Sequence, residues 1–339
     1  MKTILISGGA GFIGVNLIQY LLEQDNHKII VLDNFITSEK SRFLSFKQRY
    51  NDQILLFDVD ICDIDIKTEL AKLNIHSIDE IYHLASLASP QVYKKFPLET
   101  LDVGYNGTKY LLNLARNIYN AKLLFASTSE VYGDALIDPQ HEKYYGNVNP
   151  YGERSCYDES KRIGEALCYT FRHKYGVDVK VARIFNTYGP YMSLDDGRII
   201  TEVIKSLKQK KELIIYGDGK QTRSFCYVAD TVAMLVRLMN SDVSVPINIG
   251  NDHTQMTIND TTDSIQKIWN DIYSKDIVVK KVYKQLTQDD PLQRKPCLKL
   301  QKQLLGEYQY TSFEDGIRKT IEYFNSKEYL KNTILSHNI

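Results

Sequence analysis

The 339-residue chain balances 42 basic against 42 acidic residues and is 43% hydrophobic and 25% charged, an ordinary globular composition without the global field that draws a protein to a nucleic-acid backbone or an anionic membrane. Its five cysteines, at 62, 156, 168, 226 and 297, form no CxxC pair and have no histidine rhythm beside them, which argues against a zinc site or any other metal and predicts reduced thiols. Met1-Lys2 runs straight into an apolar strand, with no charged leader and no run of about 18 apolar residues, so a cytoplasmic protein without a membrane partner is expected.

In chain order, short apolar runs at 3–7, 28–32, 54–57, 80–84, 122–126 and 179–182 suit strands buried on both faces. Stretches with helical spacing separate most of them, notably 13–24, 98–117 and 157–175. That alternation predicts an α/β fold, a Rossmann-type doubly wound parallel sheet. After Arg183 the texture changes to loops carrying Gly189-Pro190, Asp196-Gly197 and Asp218-Gly219, where a smaller, interlaced C-terminal substrate-binding domain is expected. The boundaries read as 1–183 for the first domain, with returning segments about 225–250, then 184–224 and 251–326 for the second, and 327–339 as a flexible tail.

The turn Gly8-Gly9-Ala10-Gly11-Phe12-Ile13-Gly14 lies between the first strand and an apolar-periodic helix, the context that a dinucleotide fingerprint requires. Gly8 and Gly11 permit close backbone approach to a pyrophosphate, Gly14 lets the helix pack on the strand, and the helix start, with Phe12 and Ile13, contributes its positive end. Asp33 ends the second strand near the offset at which an acid binds the adenosine ribose, and its charge favours NAD over NADP. Asn34, Phe35 and Thr37 follow on the same loop as cofactor contacts. Asp60-Ile61 falls at the adenine edge, and Leu84 with Ser86 beside the nicotinamide ribose.

Tyr157 and Lys161 are four apart and share a helix face, so the ammonium can favour a phenolate. Bringing a phenol from its free value near 10 to neutrality takes about 4 kcal/mol of differential stabilisation, which the lysine and a cationic nicotinamide together are expected to supply. Thr128, Ser129 and Glu130 follow the fifth strand, at the carboxyl end of the sheet where ligands bind. Thr128 can hydrogen-bond a sugar hydroxyl, and Glu130 can hold water or shuttle a proton.

With these residues in place the chain resembles the extended short-chain dehydrogenases/reductases, and within them the UDP-glucuronate decarboxylase (UDP-xylose synthase) family, over roughly residues 2–325. The passages that carry the resemblance are HLAS from His83 with ASP from Ala88, ASTSEVYGD from Ala126, NPYGERSCYDESKR from Asn149 and ARIFNTYGP from Ala182. They continue with DDGRII from Asp195, YGDGKQTRSFCYV from Tyr216 and DDPLQRKP from Asp289. The resemblance implies that Tyr157 takes the sugar O4 proton as hydride leaves C4 for NAD. The C6 carboxylate, now β to a ketone, departs as carbon dioxide, C5 is protonated, and the hydride returns.

It further implies that Thr128 and Ser129 orient the pyranose, that Arg294 lies near the diphosphate and sugar, that Asn186, Gln221 and Arg223 bind the UDP part, and that Arg198 reaches a cofactor phosphate. A homodimer is implied, with 98–117 and 157–175 packing against their copies through Leu111, Leu114, Ala115, Ala166, Leu167 and Thr170. Related 4,6-dehydratases often carry an aspartate where this chain has Ser129, which disfavours dehydration. The alternatives are another NAD-dependent nucleotide-sugar epimerase or dehydratase, or a non-catalytic binding module. Three positions depart from the family pattern: Leu87 for a proline, Tyr191 for an arginine and Gly104 for an asparagine.

Overall fold

The computed structural model describes residues 1–285, 291–326 and Tyr329. The expected tail at 327–339 lies outside the described residues apart from Tyr329. Seven parallel strands form the central sheet: β1 Thr3–Ser7, β2 Lys28–Asp33, β3 Ile54–Asp58, β4 Glu80–His83, β5 Lys122–Thr128, β6 Val179–Ile184 and β7 Ile247–Ile249. Their order is β7-β6-β5-β4-β1-β2-β3, so the direction of winding reverses between β1 and β4. A crevice opens outside the carboxyl ends of the strands at such a switch point.

The apolar strand runs have no polar face because helices cover both sides. Ile4 and Ile6 belong to one core and Leu5 to the other, as the two-residue alternation of a strand requires. The first core continues into α1 (Phe12–Gln24) and the C-terminal layers. The second fills the space beneath α2 (Ser155–Tyr175), which ends on Gly176 at φ +71, the left-handed stop that glycine takes without strain.

The expected strands and the helices at 13–24 and 157–175 are present with ends within two residues, and the returning segment expected about 225–250 supplies β7, paired with β6. The stretch 98–117 differs. Helical spacing predicts one helix there, whereas Pro97–Asp102 and Thr108–Leu114 are α-helical and Val103–Gly107 and Ala115–Tyr119 are π turns. The first π turn carries Gly104 against α2, where a Cβ would lie 2.5 Å from the Ser160 Cβ, so only glycine allows this approach.

Leu111, Leu114 and Ala115, expected to face a second copy, are instead buried in this chain's own core, at 0%, 2% and 1% exposure. Beneath the sheet they complete the layer over β4 and β5, which leaves Ala166 and Thr170 exposed on α2 and Leu167 half-buried.

Beyond β6 the chain makes small sheets. Thr222–Ser224 pairs with Gln255–Thr257 and with the two-residue strand Gln293–Arg294, and Leu213–Tyr216 pairs with Lys281–Lys284. Among the described residues no helix is long and apolar enough to cross a membrane, and no group of His, Cys, Asp or Glu is arranged to hold a metal ion.

Candidate active site

A cavity of about 640 Å³ lies at the carboxyl end of the sheet. Its lining includes Gly8, Gly11, Phe12, Ile13, Gly14, Asp33, Asn34, Thr37, Asp60, Ile61, Leu84 and Ser86 on the side of the glycine turn. Thr128, Ser129, Glu130, Tyr157, Lys161, Asn186, Arg198, Gln221 and Arg294 line the rest. Two expected residues are not on the lining. The Phe35 ring turns to Phe43, 6.4 Å between centroids, while its backbone takes φ +58 and its N–H serves Asp33. Arg223 sits in the middle of the three-stranded sheet, 7% exposed, with Nη1 donating to the Thr222 carbonyl at 2.9 Å.

The glycine turn fits a dinucleotide. Gly8 has φ +71, and a Cβ there would meet the Ala85 backbone nitrogen at 2.6 Å. A Cβ on Gly14 would meet the Gly8 carbonyl oxygen at 2.5 Å. No side chain caps the start of α1 at Gly11, so its first-turn N–H groups remain for an anion. Asp33 is set by three hydrogen bonds, from Ala10 N at 3.0 Å, Phe35 N at 2.9 Å and Ser38 Oγ at 2.8 Å. Burial pushes its pKa up, yet these donors aim its carboxylate at the cavity edge. Asn34 joins the third strand's loop by donating to Asp60 at 2.8 Å.

At the other end, Thr128 closes β5 and its hydroxyl oxygen accepts the Glu130 N–H at 3.2 Å, opening the turn Ser129–Tyr132. This presents Glu130 to Arg294, which grips both carboxylate oxygens, and to Arg154 Nη2 at 2.7 Å. Burial opposes the charge but the two guanidiniums overcome it, leaving the Glu130 pKa at about 2. The group is therefore an ionised acceptor at neutral pH. Arg294, expected near a diphosphate, spends its fork on this carboxylate.

Tyr157 is 6% exposed and stacked face to face on Tyr93 with centroids 5.2 Å apart and planes at 6°. Burial pushes its phenol up to about 12, opposed by Thr128 and by the charge of Arg198. The i, i+4 ammonium alone therefore does not bring the phenol near neutrality. Lys161 is itself desolvated, its pKa pulled down to about 7, and its Nζ donates to the Ala126 carbonyl at 2.8 Å while lying 5.9 Å from the Tyr157 ring.

Asn186 lines the cavity with a buried Oδ1 that has no partner among the described residues, an acceptor aimed at an external donor. Gln221 is oriented by donating to the Tyr216 carbonyl at 2.6 Å, and Arg198 by Asp196 at 3.1 Å.

Tyr93, Arg42 and Arg154 are among the lining residues not singled out from the sequence. Tyr93 carries no chemical pattern of its own, and Arg42 reads as a surface cation although it is 9% exposed. Arg154 stands in the passage before Tyr157, three residues away, a signal that was available.

A seven-stranded parallel sheet with a glycine turn at the switch point and a Tyr-Lys pair on the facing helix defines a dinucleotide-dependent α/β protein of the short-chain type. The chain belongs to the NAD dependent epimerase/dehydratase family, matched over residues 4–250, and its cofactor is NAD. It is 41% identical over 326 residues to UDP-glucuronic acid decarboxylase 1 of Xenopus tropicalis, covering 96% of this chain and 73% of that one. It is also 41% identical over 314 residues to UDP-glucuronic acid decarboxylase 5 of Arabidopsis thaliana, covering 93% and 86%. Among solved structures, the UDP-glucuronic acid 4-epimerase of Bacillus cereus in complex with UDP-glucuronic acid and NAD superposes with a TM-score of 0.82 at 26% identity, covering 95% of this chain and 99% of that one.

Proposed function

We propose that this chain converts UDP-glucuronate to UDP-xylose and carbon dioxide through a UDP-4-keto sugar, with NAD recycled in each turnover. The observation that carries the reading is the arginine-held Glu130 on one cavity with Thr128, Tyr157 and the glycine turn, in a chain 41% identical to UDP-glucuronic acid decarboxylases. When bound, NAD supplies the oxidation of C4 and its reversal, and its cationic ring adds to the field that favours a phenolate.

Tyr157 takes the O4 proton and returns it at the end, with Thr128 holding the same hydroxyl in line. Lys161, on the same helix face, in its ammonium form steadies the phenolate that accepts the O4 proton. The C6 carboxylate, β to the new ketone, departs and leaves an enolate at C5. Glu130 has no proton to give at neutral pH, so it orients the water that protonates C5. Ser129 supplies no acid for a departing C6 hydroxyl, which favours decarboxylation over dehydration. Asn186 and Gln221 face the nucleotide, Arg294 the sugar carboxylate side, and Arg198 a phosphate.

The same reading assigns residues 1–183 with the returning 225–250 segment to NAD, and 184–224 with 251–326 to the nucleotide sugar. It includes a homodimer, supported by the apolar side chains left uncovered on the two helical stretches: Leu98 at 75%, Tyr169 at 66% and Ile163 at 41% exposure. All five cysteines are unpaired, in keeping with a cytosolic setting.

Incubation with UDP-glucuronate, followed by mass and NMR identification of the product, tests the reaction. UDP-xylose and carbon dioxide with no net NADH are expected. A product changed only at C4 would replace the reading with a 4-epimerase, the activity named for the structurally similar Bacillus cereus protein.

A further inference from the structure

The strand that bears Arg294 is two residues long and has little stiffness of its own, yet the pairing of Arg294 with Glu130 is bidentate. The residue that fixes its position is Gln140, 1% exposed, in the segment between β5 and α2. Its N–H donates to the Lys295 carbonyl at 2.8 Å and its Oε1 accepts the Lys295 N–H at 2.8 Å, so the residue after Arg294 is held through both its backbone groups. The Gln140 carbonyl accepts from Cys297 N at 2.7 Å and Asn248 Nδ2 at 3.0 Å, while Nε2 is anchored on the Ile137 carbonyl at 2.7 Å.

Asn248, fully buried on β7, also accepts the Tyr132 hydroxyl at 2.7 Å, and Tyr132 ends the turn that presents Glu130. The bonds close a ring from Glu130 through Tyr132, Asn248, Gln140 and Lys295 to Arg294 and back. Both halves of the ion pair are thereby referred to one buried node.

We propose that Gln140 is a positioning residue that sets the Arg294 guanidinium against Glu130, and through them the water that serves C5; the catalytic part of this rests on the decarboxylase reading, whereas the positioning part does not. A shift of about 1 Å in such a pair costs on the order of 100-fold in rate.

The test is a double-mutant cycle of Gln140→Ala with Arg294→Lys, read as kcat and KM for UDP-glucuronate, together with hydrogen exchange over residues 291–298. Gln140→Ala is expected to lower kcat about 10-fold with KM changed by less than about 2-fold, and to add less than about 2-fold in the Arg294→Lys background. Equal losses in both backgrounds, or an unchanged kcat, overturn the proposal. Should Gln140→Ala not fold, Gln140→Met, which keeps the side-chain volume and removes the acceptor for Lys295, is read in the same cycle by the same criterion. Exchange over 291–298 is expected to quicken while that of the central sheet does not; unchanged exchange overturns the positioning role whatever the reaction. Failure of the decarboxylase reading is recognised separately, by the absence of UDP-xylose from the wild-type protein.

Discussion

Tyr157 and Glu130 occupy one cavity and are driven in opposite directions. Burial keeps the phenol protonated, with a pKa near 12, whereas two guanidiniums hold the carboxylate ionised down to about 2. Tyr157→Phe removes the base and should lower turnover by at least about 100-fold while UDP affinity, measured by calorimetry, stays as in the wild type; an unaltered rate would remove Tyr157 from the mechanism.

Glu130 has a folded value of about 2, below its ordinary 4.5, so its contribution to stability is present above about 4.5 and lost as pH falls toward about 2. Thermal unfolding of the wild type should therefore weaken across that window, and Glu130→Gln should flatten the change. At pH 7 the same substitution strands the buried Arg294 guanidinium and should cost about 3–5 kcal/mol; a melting temperature equal to wild type would contradict this.

That Thr128, Glu130, Tyr157 and Lys161 share one cavity with the glycine turn was legible from spacing and strand ends. That Arg294 is committed to Glu130 was not, because a side-chain pairing across 164 residues leaves no local pattern.

Among the elements, the strands announced themselves because burial on both faces demands unbroken apolar runs. The 97–119 stretch misled because period alone cannot distinguish an α turn from a π turn, and the close approach of Gly104 to Ser160 leaves no mark in the spacing. Asparagine, the residue that the resemblance implies at this position, is a poor fit here. Gly104→Asn must push the two helices apart, and a destabilisation of about 1–3 kcal/mol is expected in urea unfolding. A neutral result would mean that the π turn relaxes at no cost.

Across the whole molecule, the proposed dimer makes a direct prediction. Tyr169→Glu places a charge on the exposed apolar face of α2 and should convert the protein to monomers in sedimentation at micromolar concentration, with its melting curve little changed; monomeric wild-type protein would dismiss the dimer. The sequence marks this surface only in part. Leu111, Leu114 and Ala115 share its helical period but go to the core, and periodicity does not say which of two apolar stripes a fold will cover.

The carboxylate at 130 and the guanidinium at 294 are 164 positions apart. A ribosome adding about 5–20 residues per second takes roughly 10 to 30 s to cover that interval. During it a nascent chain already displays the cofactor turn and the Tyr-Lys helix, while the charge at 130 waits in a half-built wall. The charged wall of the pocket is therefore completed late in synthesis, after the residues of the glycine turn and of the Tyr-Lys helix have been made.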